Sequence, residues 1–591
     1  MNLLLFALLT LINAQLPPPT NRKTIPSKHH PGVSISYKPS SLCETTSNSY
    51  TGHIHLPPHY LTNDTSEFQP YPINTFFWFF EARHDPSNAP LAIWLQGGPG
   101  GSSLIGLFTE NGPCKVNADS RTTRLNPWSW NKHVNMLYID QPLQTGFSYD
   151  TPTNCTVNLD GSGPGAWEPT DFSDGVPESN NTYWVGTMAS QDPAHTANST
   201  DYAAHILWHF VQTFFDEFPG YKPNNNRLSI WAESYGGHFA PATMKFFQDQ
   251  NERITNGTIG QHAHHLHLDT MGIINGVVDS NIQIEAMIRY PHNNSYNIQL
   301  YNQSHHDKLL HNFLKPGGCR DQVLACRGNP PPENCTQVDG RCINALYYDY
   351  LDSTQRSIYN LAYPMDDPFP LHHHLGFLRE RDVLASIGSP VNFTDIPTAV
   401  QKAFDAAFDH LRNDLDNVAY LLDHGVKVHL VYGDLDWVAN WVGGEKTSLA
   451  IPYSQASDFA KVGYAKLLSG EQHKGFTRQL GNLSFTRVFD AGHMVPGYQP
   501  RAAYNIFTRA IFNKDVATGE EDVTDDYATK GPQSVWQVKG QLPKVPKTKC
   551  YVLAPGTCTE EELARVASGR AVIKDYYLVD SEKDAFVSQE L

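Results

Sequence analysis

Positive charge is scarce in this chain of 591 residues: 43 Lys and Arg stand against 60 Asp and Glu, a net charge of −17. That balance disfavours nucleic acid and anionic membrane surfaces as partners, since both are held by basic faces. It suits a protein that stays soluble in acid, where carboxylates lose charge gradually. After the first residues no apolar run approaches the length of a membrane span. The end, Asp584 to Leu591, has no hydrophobic tail, so no glycosyl-lipid membrane anchor is expected. There is no His-Glu-x-x-His stretch and no Gly-x-Gly-x-x-Gly in a strand-to-helix context. No metal and no cofactor are therefore expected. The groups His262, His264, His265, His267 and His372, His373, His374 have no carboxylate at matched spacing and read as solvated loop histidines.

What is present begins with Met1 to Ala14, a short apolar run ending in a small residue. It reads as a secretory signal, although the usual positive start is missing. A secreted protein is expected, with a vacuolar or lysosome-like compartment as the alternative. Nine cysteines fit an oxidising compartment. Cys319, Cys326, Cys335 and Cys342 are spaced by 7, 9 and 7, which suggests nested bridges, Cys319–Cys342 outside and Cys326–Cys335 inside. Spacing alone leaves three pairings of these four open. Cys550 and Cys558 suit a short loop, and Cys43, Cys114 and Cys155 leave one thiol over. Ten Asn-x-Ser/Thr sequons, at Asn63, Asn154, Asn180, Asn198, Asn256, Asn293, Asn302, Asn334, Asn392 and Asn482, read as surface glycosylation.

Hydrophobic residues make up 40% of the chain and allow a sizeable core. Residues 15–42 are rich in Pro, Ser and His and read as an irregular arm. Leu91 to Leu95 and Val134 to Ile139 are short apolar runs, as in the buried middle of a parallel sheet, and Leu228 to Ala232, Asp269 to Val278 and Val426 to Tyr432 read as further buried strands. Phe485 to Phe489 reads as a last strand. Asp201 to Phe218 is an amphipathic helix stopped before Pro219. Thr151 to Asn198 is polar and reads as a surface excursion. The pattern predicts an α/β fold, a doubly wound and mostly parallel sheet. Its core spans 43–280 and 397–514, with a cap inserted over 281–396. A C-terminal extension over 515–591 opens as an acidic linker, and Thr559 with Glu562 forms a capping box there.

The chemistry centres on Ala232-Glu233-Ser234-Tyr235-Gly236-Gly237. A Ser between a buried strand and a helix, with small neighbours, fits a nucleophile elbow. A Ser nucleophile needs a base and a group to orient it. In such a sheet they follow later strands in the order Ser, acid, His. Gly433-Asp434-Leu435-Asp436 and Asp490-Ala491-Gly492-His493 stand where that order requires. One of the two aspartates reads as ordinary turn chemistry.

Together with Trp94 to Ser103, Glu110-Asn111-Gly112-Pro113, Asp140-Gln141-Pro142 and Gly492 to Pro496, these blocks resemble the serine carboxypeptidase family over residues 45–512. The resemblance implies an α/β-hydrolase fold and removal of C-terminal residues from peptides and proteins, best in acid. It implies Ser234 as nucleophile, His493 as base and Asp436 as its orienting acid. The oxyanion hole would be the N–H groups of Gly98 and Tyr235. The substrate carboxylate would meet Trp94, Gln96, Gly97, Glu110 and Glu233. Two buried glutamates raise each other's pKa, so a shared proton turns repulsion into hydrogen bonding in acid. Two departures stand out: Gln96 where the family has Asn, and Gly101 where many members have Cys. An acyltransferase or esterase using the same triad is the alternative reading, and a catalytically silent binding protein the third. The pattern fixes no oligomeric state.

Overall fold

The computed structural model describes residues 21–61, 68–158, 166–180, 182–260, 262–328, 331–365, 369, 371–545 and 547–579. Residues 1–14 and Asn63 lie outside them. The core is a twelve-stranded sheet. Its strands in chain order are β1 (Lys23–Pro26), β2 (Ser34–Ser40), β3 (Ser49–Leu56), β4 (Ile73–Phe80), β5 (Leu91–Leu95) and β6 (Asn135–Ile139). Then come β7 (Arg227–Glu233), β8 (His267–Ile274), β9 (Lys427–Gly433), β10 (Ala465–Ser469), β11 (Gln472–Leu480) and β12 (Leu483–Val488). The spatial order is β1-β2-β3-β4-β6-β5-β7-β8-β9-β12-β11-β10. The run β6-β5-β7-β8-β9-β12 is parallel throughout. An antiparallel ribbon closes each side.

The parallel strands read as unbroken apolar runs because both faces are covered. In β4, Phe77 and Phe79 face the helices Thr200–Glu217 and Gly236–Thr255. Phe76, Trp78 and Phe80 face the other side, where Trp130 stacks at 4.0 Å on Phe507 of the helix Pro500–Ile511. The two-residue period of a strand sends alternate side chains into two cores.

Two expectations are corrected, and one stretch without an assigned element proves to be strand. Residues 23–40 are not an irregular arm: they form β1 and β2, pairing outward from β3. Residues 465–480 add the edge strands β10 and β11. The start of the C-terminal extension is no free linker, since Thr529 N–H donates to Gln479 O (3.0 Å) and Val535 O accepts from the buried Arg487 (2.9 Å). Further on, Thr559 and Glu562 form the capping box of the helix Glu560–Ala567.

The excursion after β6 carries a small sheet, Thr153–Asn158 with Glu168–Pro169 and Tyr183–Met188. Disulfides join Cys43 to Cys114, Cys319 to Cys342, Cys326 to Cys335 and Cys550 to Cys558, and Cys155 is a buried free thiol. Among the described sequons, Asn180, Asn198, Asn256, Asn293, Asn302 and Asn334 are exposed, while Asn154, Asn392 and Asn482 are half-buried.

Candidate active site

The residues singled out in the sequence gather at the carboxyl ends of the parallel strands, where open α/β sheets place their ligands. Ser234 is the turn between β7 and the helix Gly236–Thr255. Its φ is +64°, a left-handed conformation rare for a side-chain-bearing residue and kept only where the surroundings enforce it. The surroundings do so: Ser234 N–H donates to Ile274 O (3.0 Å), and Ser234 O accepts from Val277 N–H (3.1 Å). The small residues after it are packing requirements. A Cβ on Gly236 would lie 2.5 Å from Ala232 Cβ, and one on Gly237 would lie 2.5 Å from Val277 O.

The acid and the base come from the loops after β9 and β12. His493 Nδ1 lies 2.8 Å from Asp436 Oδ2. Asp436 Oδ2 also accepts from Asn275 Nδ2 (2.9 Å) and Ala439 N–H (3.2 Å). Asn275 returns its Oδ1 to Gly433 N–H at 2.8 Å and so ties β8 to the acid loop. Sequence reasoning passes over Asn275; an Asn at the end of a buried strand, here with φ +39°, is its only signal. The ring of Tyr359 lies 5.0 Å from that of His493, and Tyr359 O accepts His493 N–H at 2.9 Å.

Asp434 is not a plain turn residue. It forms a buried ion pair with Arg487 (2.9 Å) and accepts from the Tyr296 hydroxyl (2.6 Å). The two aspartates of Gly-Asp-Leu-Asp thus divide: Asp436 faces His493, and Asp434 pins β9 to β12.

The glycine loop after β5 closes on the elbow. A Cβ on Gly97 would lie 2.5 Å from Tyr235 N and 2.6 Å from Ser234 Cβ, so only bare backbone fits. Gly98 has φ +122°, a region that glycine alone enters freely. Asp140 holds this loop, accepting from Ser102 Oγ (2.6 Å), Ser103 N–H (3.1 Å) and Phe147 N–H (2.9 Å). Burial pushes its carboxyl up to about 7 against those hydrogen bonds. Gly101 N–H donates to Gly97 O (2.7 Å), and Ser102 N–H donates to Asp395 O (3.0 Å), which ties the loop to the inserted region without a disulfide. The Tyr235 side chain turns away, its hydroxyl donating to Asp409 (2.5 Å), so that residue offers only its backbone.

A cavity of about 380 Å³ opens here. Gln96, Gly97, Gly98, Glu233, Ser234 and His493 line one side; Ile105, Leu351, Ile358, Met365, Met494 and Tyr498 give it apolar walls. Trp94 and Glu110 stand behind that wall, both buried. They act through a chain: Trp94 Nε1–H donates to Gln96 Oε1 (3.0 Å), and Gln96 Nε2 donates to Glu233 Oε1 (2.7 Å). Glu110 faces Glu233. Burial pushes both carboxyls above their usual range, and the charge of Glu110 raises Glu233 further. Two buried carboxyls so placed resist ionising together.

His372 and His374 also line the cavity, which corrects their reading as solvated. His374 Nε2 lies 3.3 Å from Asp395 Oδ1, and burial pushes His372 down to about 4. Of the other group, His262, His265 and His267 are exposed.

The parallel sheet flanked by helices, with the elbow at its crest, is the fold of an α/β-hydrolase. The profile described as serine carboxypeptidase matches residues 60–513, and the chain belongs to that family of hydrolases. It is 50% identical over 587 residues to "Carboxypeptidase S1 homolog A" of Arthroderma otae, covering 95% of this chain and 89% of that one. It is 39% identical over 595 residues to "Carboxypeptidase Y homolog" of Arthroderma benhamiae, covering 95% and 92%. Among solved structures it resembles a prohormone-processing carboxypeptidase of Saccharomyces cerevisiae, Kex1(Δ)p. There the TM-score is 0.59 at 20% identity, over 78% of this chain and 91% of that chain, a likeness of fold.

Proposed function

We propose that the protein is a secreted serine carboxypeptidase that hydrolyses the C-terminal bond of peptides and proteins in acid through an acyl-enzyme on Ser234. The observation that carries this reading is the buried Glu110/Glu233 pair, tied through Gln96 to the cavity that Ser234 and His493 share. A general esterase has no use for a protonated carboxyl pair beside its nucleophile; a free C-terminal carboxylate does, because it needs donors.

In this reading His493 takes the Ser234 proton as Oγ bonds to the scissile carbonyl carbon. Asp436, held by Asn275, fixes the imidazole and supports its positive charge. The N–H groups of Gly98 and Tyr235 receive the oxyanion, each worth ~3 kcal/mol in the transition state. His493 then returns the proton to the departing amino group. Water, deprotonated by His493, cleaves the ester, and Ser234 regains its proton. Meanwhile the substrate carboxylate accepts from the Glu233 carboxyl, from Gln96 and from Gly97, with Trp94 and Glu110 holding the first two in register. Rising pH strips the shared proton and sets like charges against each other, so binding weakens.

The test is release of the C-terminal amino acid from an N-blocked dipeptide, beside its C-terminal amide, from about pH 4 to 8. Preference for the free acid that fades with pH and vanishes in Ser234→Ala supports the reading. Equal cleavage of acid and amide in acid moves it to an esterase or acyltransferase.

A further inference from the structure

A second cavity, of about 320 Å³, lies away from Ser234, where the small sheet after β6, the inserted region and the C-terminal extension meet. That volume falls at the lower end for ligand sites, ~300–1,000 Å³. Its walls are aromatic: Trp167, Trp184, Phe393 and Tyr576. The guanidinium of Arg379 lies 3.9 Å from the ring centre of Trp184 and 5.8 Å from that of Trp167. Among the described residues no hydrogen bond and no ion pair of this guanidinium is seen, and it lines the cavity.

Asn392 lines the same cavity and opens the sequon Asn392-Phe393-Thr394. Its carboxamide is held by one end. Oδ1 accepts from Thr187 N–H at 2.9 Å, and the backbone N–H of Asn392 donates to Thr187 O at 2.7 Å. Gly186 leaves room for that approach, since a Cβ there would lie 2.9 Å from Oδ1. Nδ2 has no hydrogen-bond partner among the described residues. Of the described sequons, Asn392 is the one that lines either cavity.

We infer that Asn392 carries an N-linked glycan whose first N-acetylhexosamine is seated in this cavity, on Trp184 and Trp167, with Arg379 donating to its hydroxyl and acetamido oxygens. The inference rests on the secretory routing proposed above. The linkage forms during synthesis, before the cavity closes. Nδ2 bonds to the anomeric carbon of a lipid-diphosphate-linked oligosaccharide, the carbon–oxygen bond to the diphosphate breaks, and Nδ2 gives up one proton. The amide keeps Oδ1 for Thr187 and one N–H. A sugar ring suits the site because its C–H faces are apolar and its rim is polar, matching tryptophan faces and a guanidinium that lines the cavity. A free small carboxylate is the rival occupant. The tethered sugar is favoured because the cavity holds the acceptor amide with its nitrogen left over.

The experiment uses the full chain secreted from a eukaryotic host, with occupancy of each sequon read by peptide mass spectrometry. Release by a peptide-N-glycosidase is then followed on the folded protein. Asn392 should be occupied, and its glycan should leave roughly tenfold or more slowly than those on exposed Asn302 and Asn334, because cleavage requires the seat to open. Trp184→Ala should abolish that lag while keeping the sequon; Arg379→Gln serves if the first variant is not secreted. A bare Asn392 beside occupied Asn302 or Asn334 overturns the inference, as does release at the common rate. A bare Asn392 with Trp fluorescence quenched by 3-phenylpropionate but not by its amide gives the site to a free carboxylate instead. All sequons bare would sink the secretory routing and this inference with it.

Discussion

Gln96 spans two partners with one carboxamide: it takes the Trp94 indole proton at 3.0 Å and gives its own to Glu233 at 2.7 Å. Its orientation is thereby fixed, and Glu233 meets the cavity with one oxygen already satisfied. The remaining Glu233 oxygen makes no hydrogen bond among the described residues, and Glu110 is the charge that raises it.

Glu233→Gln should therefore cut selectivity for a free C-terminus over its amide more than it cuts kcat. One hydrogen bond to a charged group is worth about 1.5–3 kcal/mol, or roughly 10- to 150-fold in relative kcat/KM. Paired kinetics on an N-blocked dipeptide and its amide would read it. An equal loss on both substrates contradicts carboxylate recognition by Glu233.

The stability that the raised carboxyls contribute should fall as pH rises from about 5 to 7.5. Burial raises Glu110, Glu233 and Asp140 in the folded chain, the last to about 7. The folded state then keeps protons that the unfolded state releases. This stability is fully present below the ordinary carboxylate pKa and is lost as pH climbs through the raised values. Glu44 works in the other direction: burial opposes it, yet hydrogen bonds from Thr46, Arg83 and Asn131 hold it down to about 2. Its contribution disappears only below about pH 4.5, and the histidines that burial pushes down, His53, His209 and His429 among them, destabilise the fold in acid, so the carboxyl effect is read as a difference between variant and parent. Scanning fluorimetry across pH tests this, and Glu233→Gln should flatten the neutral limb.

Asp436→Asn and Asp434→Asn should fail differently. The first removes the partner of His493 and should cost roughly 10⁴-fold in kcat with Tm nearly kept. The second leaves the buried Arg487 guanidinium without its carboxylate and should cost about 3–5 kcal/mol of stability. Urea denaturation beside kcat separates them. An Asp434→Asn protein of full stability would contradict the account of that ion pair.

Cys155 should resist alkylation in the folded protein. It is buried, and burial pushes its thiol up to about 12, leaving almost no thiolate at neutral pH. Thiol titration should count no accessible group natively and one after denaturation without reductant.

The parallel core was legible because burial on both faces writes itself as short apolar runs, and Ser234, Asp436 and His493 follow three of them. The edges were not. Lys23–Pro26 and Ser34–Ser40 carry Pro, Ser and Lys, and they are strands because they pair with a neighbour, not because of their own pattern. Gln472–Leu480 begins with polar residues for the same reason. Asp434 and Asp436 look alike in sequence; only the arrival of Arg487 from β12 tells them apart. The burial of His372 and His374 arises from long-range packing of the inserted region, which no local period encodes.

The Cys43–Cys114 bridge spans 71 residues and ends four positions after Glu110. Lys115 Nζ, the next residue along, donates to Glu110 O at 2.6 Å. The segment presenting Glu110 is thus stapled to the outer ribbon of the sheet, whereas Ser234, Asp436 and His493 hang from the parallel strands with no disulfide near them in sequence. Under reducing conditions the two halves of the machine should part company: a reduced enzyme would still cut, but it would read chain ends less faithfully.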